Sequence, residues 1–230
     1  MYISRVSISA AASDSPEFWR MSSSAYEIHQ LVWGIFEQPA DGKRMFLYRQ
    51  ELHQRRPQLI VVSAQSPGKG DRRGSTLWHV ETKPYAPKLN AGEQLSFVLR
   101  ANPVITRQEQ EGRRRRHDVV MDYKRQVRSR GIQRSEWPPE YVIVQEQCSQ
   151  WLGARASKAG FAIDEHAVRA EGYRQHDLRR PGGGRSIRFS TVDFTGILTV
   201  VDPVRFVHTL LHGIGPAKGF GCGLLLVRRP

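Results

Sequence analysis

Residues 2–10 alternate, with Tyr2, Val6, Ile8 and Ala10 on one side, which is the two-residue period of a half-buried strand. After a polar stretch ending in Ser22, Ser23 and Ser24 the period changes, and Ala25, Ile28, Leu31, Val32, Ile35 and Phe36 recur at helical spacing. Ser24 and Glu27 form an S-x-x-E capping box, in which two side chains satisfy backbone N–H groups of the first turn, so the helix is expected to start at Ser24. Short strand-like runs follow at 45–52, 58–64 and 76–82. Residues 83–92 place two prolines and a glycine between apolar runs and mark a linker. Beyond it Leu95, Phe97, Leu99 and Ala101 alternate as a strand, 140–158 reads as a helix stopped by Gly160, and 186–201 is β-rich. Pro203 stands where a helix can begin, with Val207, Leu210, Leu211 and Ile214 as its apolar face, and 223–228 closes the chain as a strand. Each half therefore mixes strands with one or two helices, an α+β arrangement with helices packed on one face of an antiparallel sheet.

Two tandem ferredoxin-like halves suit that order, although the second helix of the first half is weak. The expected domains are 1–86 and 94–230, with a linker at 87–93. Composition agrees with a folded chain: of 230 residues, 39% are hydrophobic and 25% charged. The longest aliphatic runs, at 59–62 and 224–227, fall far short of the roughly 18 apolar residues of a membrane span. The first residues lack the charged and then apolar pattern of a secretion signal, so a cytoplasmic protein is expected. Cys148 and Cys222 are too few for a cysteine-rich zinc site and read as small buried hydrophobes in a reducing compartment.

Charge changes the picture more. Lys and Arg number 35 against 22 Asp and Glu, a formal net charge of +13. A polyanion is the usual reason to carry such self-repulsion, and nucleic acid is the leading candidate. Ten Lys/Arg against four Asp/Glu lie between 107 and 134, including the run Arg113, Arg114, Arg115 and Arg116, which reads as a mobile, exposed basic arm.

Four groups of residues bear on chemistry. Residues 213–223 hold five glycines in eleven positions. The Walker and Rossmann patterns both fail there, since the loop follows a helix and leads into a strand, and Lys218 stands where a third Rossmann glycine would be. A structural turn and a nucleic-acid contact both fit Gly213, Gly215, Gly219 and Gly221, and Lys218 favours the second. His208 and His212 have the i, i+4 spacing of a metal pair, but with no following Glu and no third ligand they read as partly buried helix residues, and no metal is expected. No carboxylate cluster of the kind that holds paired Mg²⁺ ions occurs, which disfavours a metal-dependent nuclease. Tyr26 and His29, three apart in the first turns of the Ser24 helix, share a face near a positive helix end. That combination offers a phosphate seat beside a group that exchanges protons near neutral pH.

The opening Met-Tyr-Ile-Ser-Arg-Val, Tyr26-Glu27-Ile28-His29-Gln30, Leu99-Arg100-Ala101-Asn102-Pro103 and the closing run 213–225 together resemble the CasE (Cse) family, the CRISPR RNA-processing endoribonucleases of the type I-E Cascade complex. The resemblance spans nearly the whole chain. It implies two ferredoxin-like domains of the repeat-associated type and metal-independent cleavage of precursor CRISPR RNA at the base of its repeat hairpin. The partners implied are that hairpin RNA and the other Cascade subunits, with no small-molecule cofactor and no membrane. The reaction implied is attack by the RNA's own 2′-hydroxyl, leaving a 2′,3′-cyclic phosphate and a 5′-hydroxyl, with His29 as general acid or base and Tyr26 orienting or assisting. A lysine found five residues past the histidine in some members is Gly34 here, so charge stabilisation must come from elsewhere, and Lys218 is the candidate. By the same resemblance Arg179, Arg180 and Arg185, flanking a Pro-Gly-Gly-Gly tip, match a basic hairpin that meets the RNA stem. Residues Arg113, Arg114, Arg115 and Arg116 would contact either RNA backbone or another Cascade subunit. Two rival readings stand beside the enzyme: a non-catalytic RNA-hairpin-binding subunit of a ribonucleoprotein, and a basic protein of unrelated function.

Overall fold

The computed structural model describes residues 1–9, 12, 15–16, 25–36, 44–53, 56–68, 78–108, 112–178 and 186–230. Ala10, Ser24, Arg179, Arg180 and Arg185, and with them the helix cap and the basic hairpin tip, lie outside the described residues.

The first unit runs β1 (Tyr2–Ile8), α1 (Ala25–Ile35), β2 (Phe46–His53), β3 (Arg56–Ser63) and β4 (Trp78–Pro84), and its antiparallel sheet has the order β2-β3-β1-β4. That is the strand order of a ferredoxin-like βαββαβ unit, in which the first helix crosses from one edge of the central pair to the other. The stretch between β3 and β4, where the second helix of such a unit would stand, includes residues 69–77, which are outside the described set. Ile28, Leu31, Val32 and Ile35 bury the apolar side of α1 on Val6, Phe46, Tyr48, Leu59 and Val61 of the sheet. The opposite face of β2 and β3 is also covered. Leu47 and Val62 pack on Leu224 near the end of the chain, with Ile3, Ile60, Leu211 and Leu226 around them. Covering on both faces explains why β2 and β3 read as apolar runs rather than as clean alternations.

The second unit repeats the plan with insertions. β5 (Gln94–Ala101) pairs with β10 (Ile187–Val200) and β11 (Leu225–Arg228), while β8 (Phe161–Ile163) lies on the far side of β10, giving the order β11-β5-β10-β8. The helices α3 (Glu140–Ala156) and α4 (Pro203–His212) take the two helical positions. Tandem ferredoxin-like units are thus present, as the strand and helix order led one to expect. The core joins Leu95, Phe97, Leu99 and Ala101 of β5 to Cys148, Trp151 and Leu152 of α3 and to Phe206 and Leu210 of α4. Both cysteines are buried and unpaired.

Two expectations need correction. The 107–134 region is not a free arm. It contains a hairpin, β6 (Val104–Gln108) with β7 (Arg114–Asp118), and then α2 (Val119–Ser129). Asp118 caps α2 by accepting from Met121 N at 2.8 Å, and the buried Asp122 takes Arg107 at 2.6 Å and Gln126 at 2.7 Å. Burial pushes the Asp122 carboxyl up, but the hydrogen bond and charge of Arg107 win, and it titrates below the ordinary range. A few carboxylates placed at a cap and opposite one arginine, with Val119, Val120 and Val127 buried beneath, fold a segment that its charge count marks as unfoldable. Second, His208 and His212 are exposed, their rings stacked with centroids 3.9 Å apart, because α4 buries Phe206, Thr209 and Leu210 instead of the Val207 side. The remaining insertion is β9 (Arg169–Leu178), which pairs with the first part of β10.

Candidate active site

Two segments 190 residues apart in sequence build the site. The first is α1, whose apolar burial leaves Tyr26 and His29 half-buried at the edge of the helix face. The second is the glycine loop between α4 and β11. Gly213 ends α4 at φ 74°, and a Cβ there would stand 2.7 Å from the Gly223 carbonyl oxygen, so only glycine lets the two limbs of the loop come together. Ile214 N donates to Gly223 O at 2.9 Å, and Gly223 N donates to Arg100 O at 2.7 Å, which pins the loop to β5.

A single 3-10 turn, Lys218–Phe220, carries the loop across to the first unit. There the Gly219 carbonyl oxygen accepts from His29 Nδ1 at 2.7 Å and from Tyr48 Oη at 2.9 Å. A carbonyl only accepts, so Nδ1 carries the hydrogen and the neutral imidazole keeps its lone pair on Nε2. Burial holds the His29 imidazole below its ordinary pKa; the bond to Gly219 works the other way, and the charge of Arg44 adds to the lowering. Burial also pushes the Tyr48 phenol well above the ordinary tyrosine range, so it serves as a fixed donor. A Cβ on Gly219 would stand 3.3 Å from His29 Cε1 and 3.4 Å from its Nδ1, and this close approach is the local reason for glycine.

Cations surround the loop. Arg44, just before β2, brings Nη1 to 3.5 Å from that same Cβ point, and its Nε is buried with no hydrogen-bond partner. Lys218 donates from Nζ to the His212 carbonyl at 2.6 Å, closing the end of α4, and burial together with Arg44 lowers its pKa.

From His29 a row of rings runs into the second unit. Its centroid lies 5.5 Å from that of Phe220; Phe220 stacks on Phe189 at 5.1 Å, and Phe189 stacks on His176 at 4.7 Å. Phe220, Phe189 and His176 line a cleft of about 750 Å³ whose other walls include Arg116, Arg188, Asn102 and Ser190. Burial and the charges of Arg100 and Arg174 keep His176 below the ordinary imidazole value. Asp118 and Asp177 line the cleft too, and Arg188 is paired with Asp177; aromatic rings beside arginines are a lining that can stack bases and meet phosphates.

The structure therefore brings His29, Gly219 and Lys218 together and puts Arg116 at the cleft beside them. Arg114 and Arg115 lie exposed on β7, and Arg113 precedes that strand. Gly213 and Gly215 sit at the base of the loop, where Gly213 shapes the turn and a Cβ on Gly215 would meet Trp151 at 3.2 Å; Gly221 lies under Tyr48 at 3.3 Å in the same sense. Arg44, Tyr48, His176 and Phe189 are the residues that sequence reading missed. Phe220, the sole aromatic inside the glycine run, carried a local signal; the others carried none.

The chain has known relatives. A family model described as CRISPR associated protein matches residues 1–229. The chain is 30% identical over 233 residues to the CRISPR system Cascade subunit CasE of Escherichia coli strain K12, with 98% of each chain covered. It is 27% identical over 216 residues to the CRISPR-associated endoribonuclease Cse3 of Thermus thermophilus, covering 89% of this chain and 90% of that one. Among solved structures, CRISPR endoribonuclease Cse3 bound to a 19-nucleotide RNA superposes with a TM-score of 0.70 at 27% identity, covering 100% of this chain and 99% of that one.

Proposed function

Since the chain belongs to the CasE (Cse) family of CRISPR-associated proteins, we propose that it is an endoribonuclease that cuts precursor CRISPR RNA in the repeat hairpin and serves as a Cascade subunit. Support for RNA as substrate comes from relatives named for endoribonuclease activity and solved with RNA, and from the aromatic cleft of this chain. The observation that carries the chemistry is the grip of the Gly219 carbonyl on His29 Nδ1, which leaves the lone pair of the neutral imidazole on Nε2.

In this reading the catalytic helix belongs to a domain spanning 1–86, and the RNA is held by the domain spanning 94–230. Arg179, Arg180 and Arg185 contact the stem, Arg113, Arg114, Arg115 and Arg116 neutralise backbone phosphates, and the loop glycines with Lys218 admit the RNA backbone close to His29. The reaction balances without a metal. The 2′-hydroxyl loses its proton to His29 Nε2, its oxygen bonds to phosphorus, the P–O5′ bond breaks, and the departing 5′-oxygen takes a proton from water while Tyr26 orients the phosphate. Incubation with the repeat hairpin in EDTA is expected to yield a 2′,3′-cyclic phosphate and a 5′-hydroxyl, and one 2′-deoxy substitution at the cut is expected to block it. Binding without cleavage would favour a hairpin-binding module, and equal affinity for random RNA would favour an unrelated basic protein.

The pH profile follows from the groups that act on His29, which among the described residues are the Arg44 guanidinium and the Gly219 carbonyl that Tyr48 also holds. The base works only when neutral, so the single-turnover rate rises from acid, reaches half its limit below the ordinary histidine value of about 6.5, and is level through neutrality. An acid limb centred at or above the ordinary value would count against His29 as the base. Gly219→Ala is expected to slow cleavage by up to about 10²-fold, because its methyl displaces the imidazole by a fraction of an ångström, with the thermal midpoint nearly unchanged. An unchanged rate would remove the loop from the mechanism.

A further inference from the structure

The scissile phosphate gains charge as the 2′-oxygen attacks, and a neutral imidazole does not offset it. Helix α1 supplies no cation: its eleven residues contain no Lys or Arg. Lys218 spends one ammonium N–H on the His212 carbonyl, which holds it at the end of α4. Arg44 is placed differently. Its Nη1 and His29 Nδ1 lie 3.5 and 3.4 Å from one point above Gly219 Cα, so guanidinium and imidazole flank the same small space. Among the described residues no carboxylate pairs with Arg44, and its buried Nε donates to nothing. By contrast Arg49, Arg100 and Arg107 each have an aspartate.

A half-buried guanidinium kept without an anion is costly unless an anion arrives from outside. Its forked donors suit the two non-bridging oxygens of a phosphodiester. Resting on the endoribonuclease reading above, we propose that Arg44 is a catalytic residue whose guanidinium binds the scissile phosphate and takes up the charge of the phosphorane, the part left open by Gly34. The inference adds a role that neither the fold nor the glycine loop requires.

The test is single-turnover cleavage of the repeat hairpin at saturating protein by the native chain, His29→Ala, Arg44→Ala, Arg44→Gln and Arg44→Lys. Arg44→Ala and Arg44→Gln are expected to lose about 10²–10³-fold in rate with hairpin affinity little changed, and Arg44→Lys to recover part of the loss. Added guanidinium ion is expected to restore part of the activity of Arg44→Ala and none of that of His29→Ala. The acid limb of the Arg44→Ala profile should also move to higher pH, since a positive charge that disfavours the imidazolium is gone. The moved limb reports only that the charge stands beside His29; rescue by guanidinium is what a merely structural arginine would not show. If Arg44→Ala does not fold, the longer Arg44→Gln and Arg44→Lys variants decide. A native chain that binds but does not cut would end the endoribonuclease reading itself. A native chain that cuts, a dead His29→Ala and Arg44 variants as fast as the native chain would overturn the Arg44 assignment alone.

Discussion

His29→Ala is expected to lower the single-turnover rate of hairpin cleavage by about 10²–10⁴-fold, the range associated with loss of a positioned general base, while leaving hairpin affinity within the native range. The variant removes Nε2 and frees the Gly219 carbonyl, which keeps its second donor, Tyr48 Oη. The loop has its own ties, Ile214 to Gly223 and Gly223 to Arg100, so it holds its course without the imidazole. Because the aromatic cleft and the arginines stay in place, the loss falls on the chemical step. Filter binding measures affinity, and rapid-quench assays with excess protein measure the rate. A His29→Ala protein that binds and cuts like the native chain would remove the imidazole from the mechanism, whatever the fate of the other site residues.

Asp193→Ala is expected to cost about 3 kcal/mol, the lower end of the range for breaking a buried pair, because Asp193 and Arg100 are part-buried and only Arg49 is buried. Asp193, on β10, accepts from Arg100 Nε and Nη2 at 3.0 and 2.8 Å and lies 3.2 Å from Arg49 Nη2 of β2. Only 10% of the Arg49 side chain is exposed, and its Nη1 already lacks a hydrogen-bond partner. Truncation at Asp193 leaves two guanidinium groups near each other, with Glu51 as the carboxylate that remains on Arg49 among the described residues. At 2–4 °C per kcal/mol for a chain of this size, the thermal midpoint should fall by roughly 6–12 °C. Asp193 also ties the first sheet to the second across the seam made by Leu47, Val62 and Leu224. A loosened seam moves Gly219 relative to His29, so cleavage should weaken further than unfolding alone explains. An unchanged midpoint would mean that Asp193 contributes nothing to holding the two units together.

The elements that local pattern determines were all legible. Strand β5 shows its buried Leu95, Phe97, Leu99 and Ala101 as a plain alternation, and α1 shows Ile28, Leu31, Val32 and Ile35 as one helical face, because each buries a single side. Strand β9 escaped because it pairs mostly through backbone, with exposed or half-buried side chains along nearly its whole length. Helix α2 escaped because its charges read as an arm until Arg107, fifteen residues away, is seen opposite Asp122.

What the chain alone determined is its element order, its excess of positive charge, the Tyr26–His29 pair and the glycine run, all of which follow from residue type and spacing within a few turns. The tertiary structure alone decided that Gly219 meets His29, that Arg44 stands beside them with no counter-ion among the described residues, and that Phe220, Phe189 and His176 continue the site into a cleft. The physical reason is the separation along the chain. A contact across 190 residues depends on how two sheets dock through Leu47, Val62 and Leu224 and through Asp193, and no periodicity in the residues around His29 or Gly219 encodes that docking.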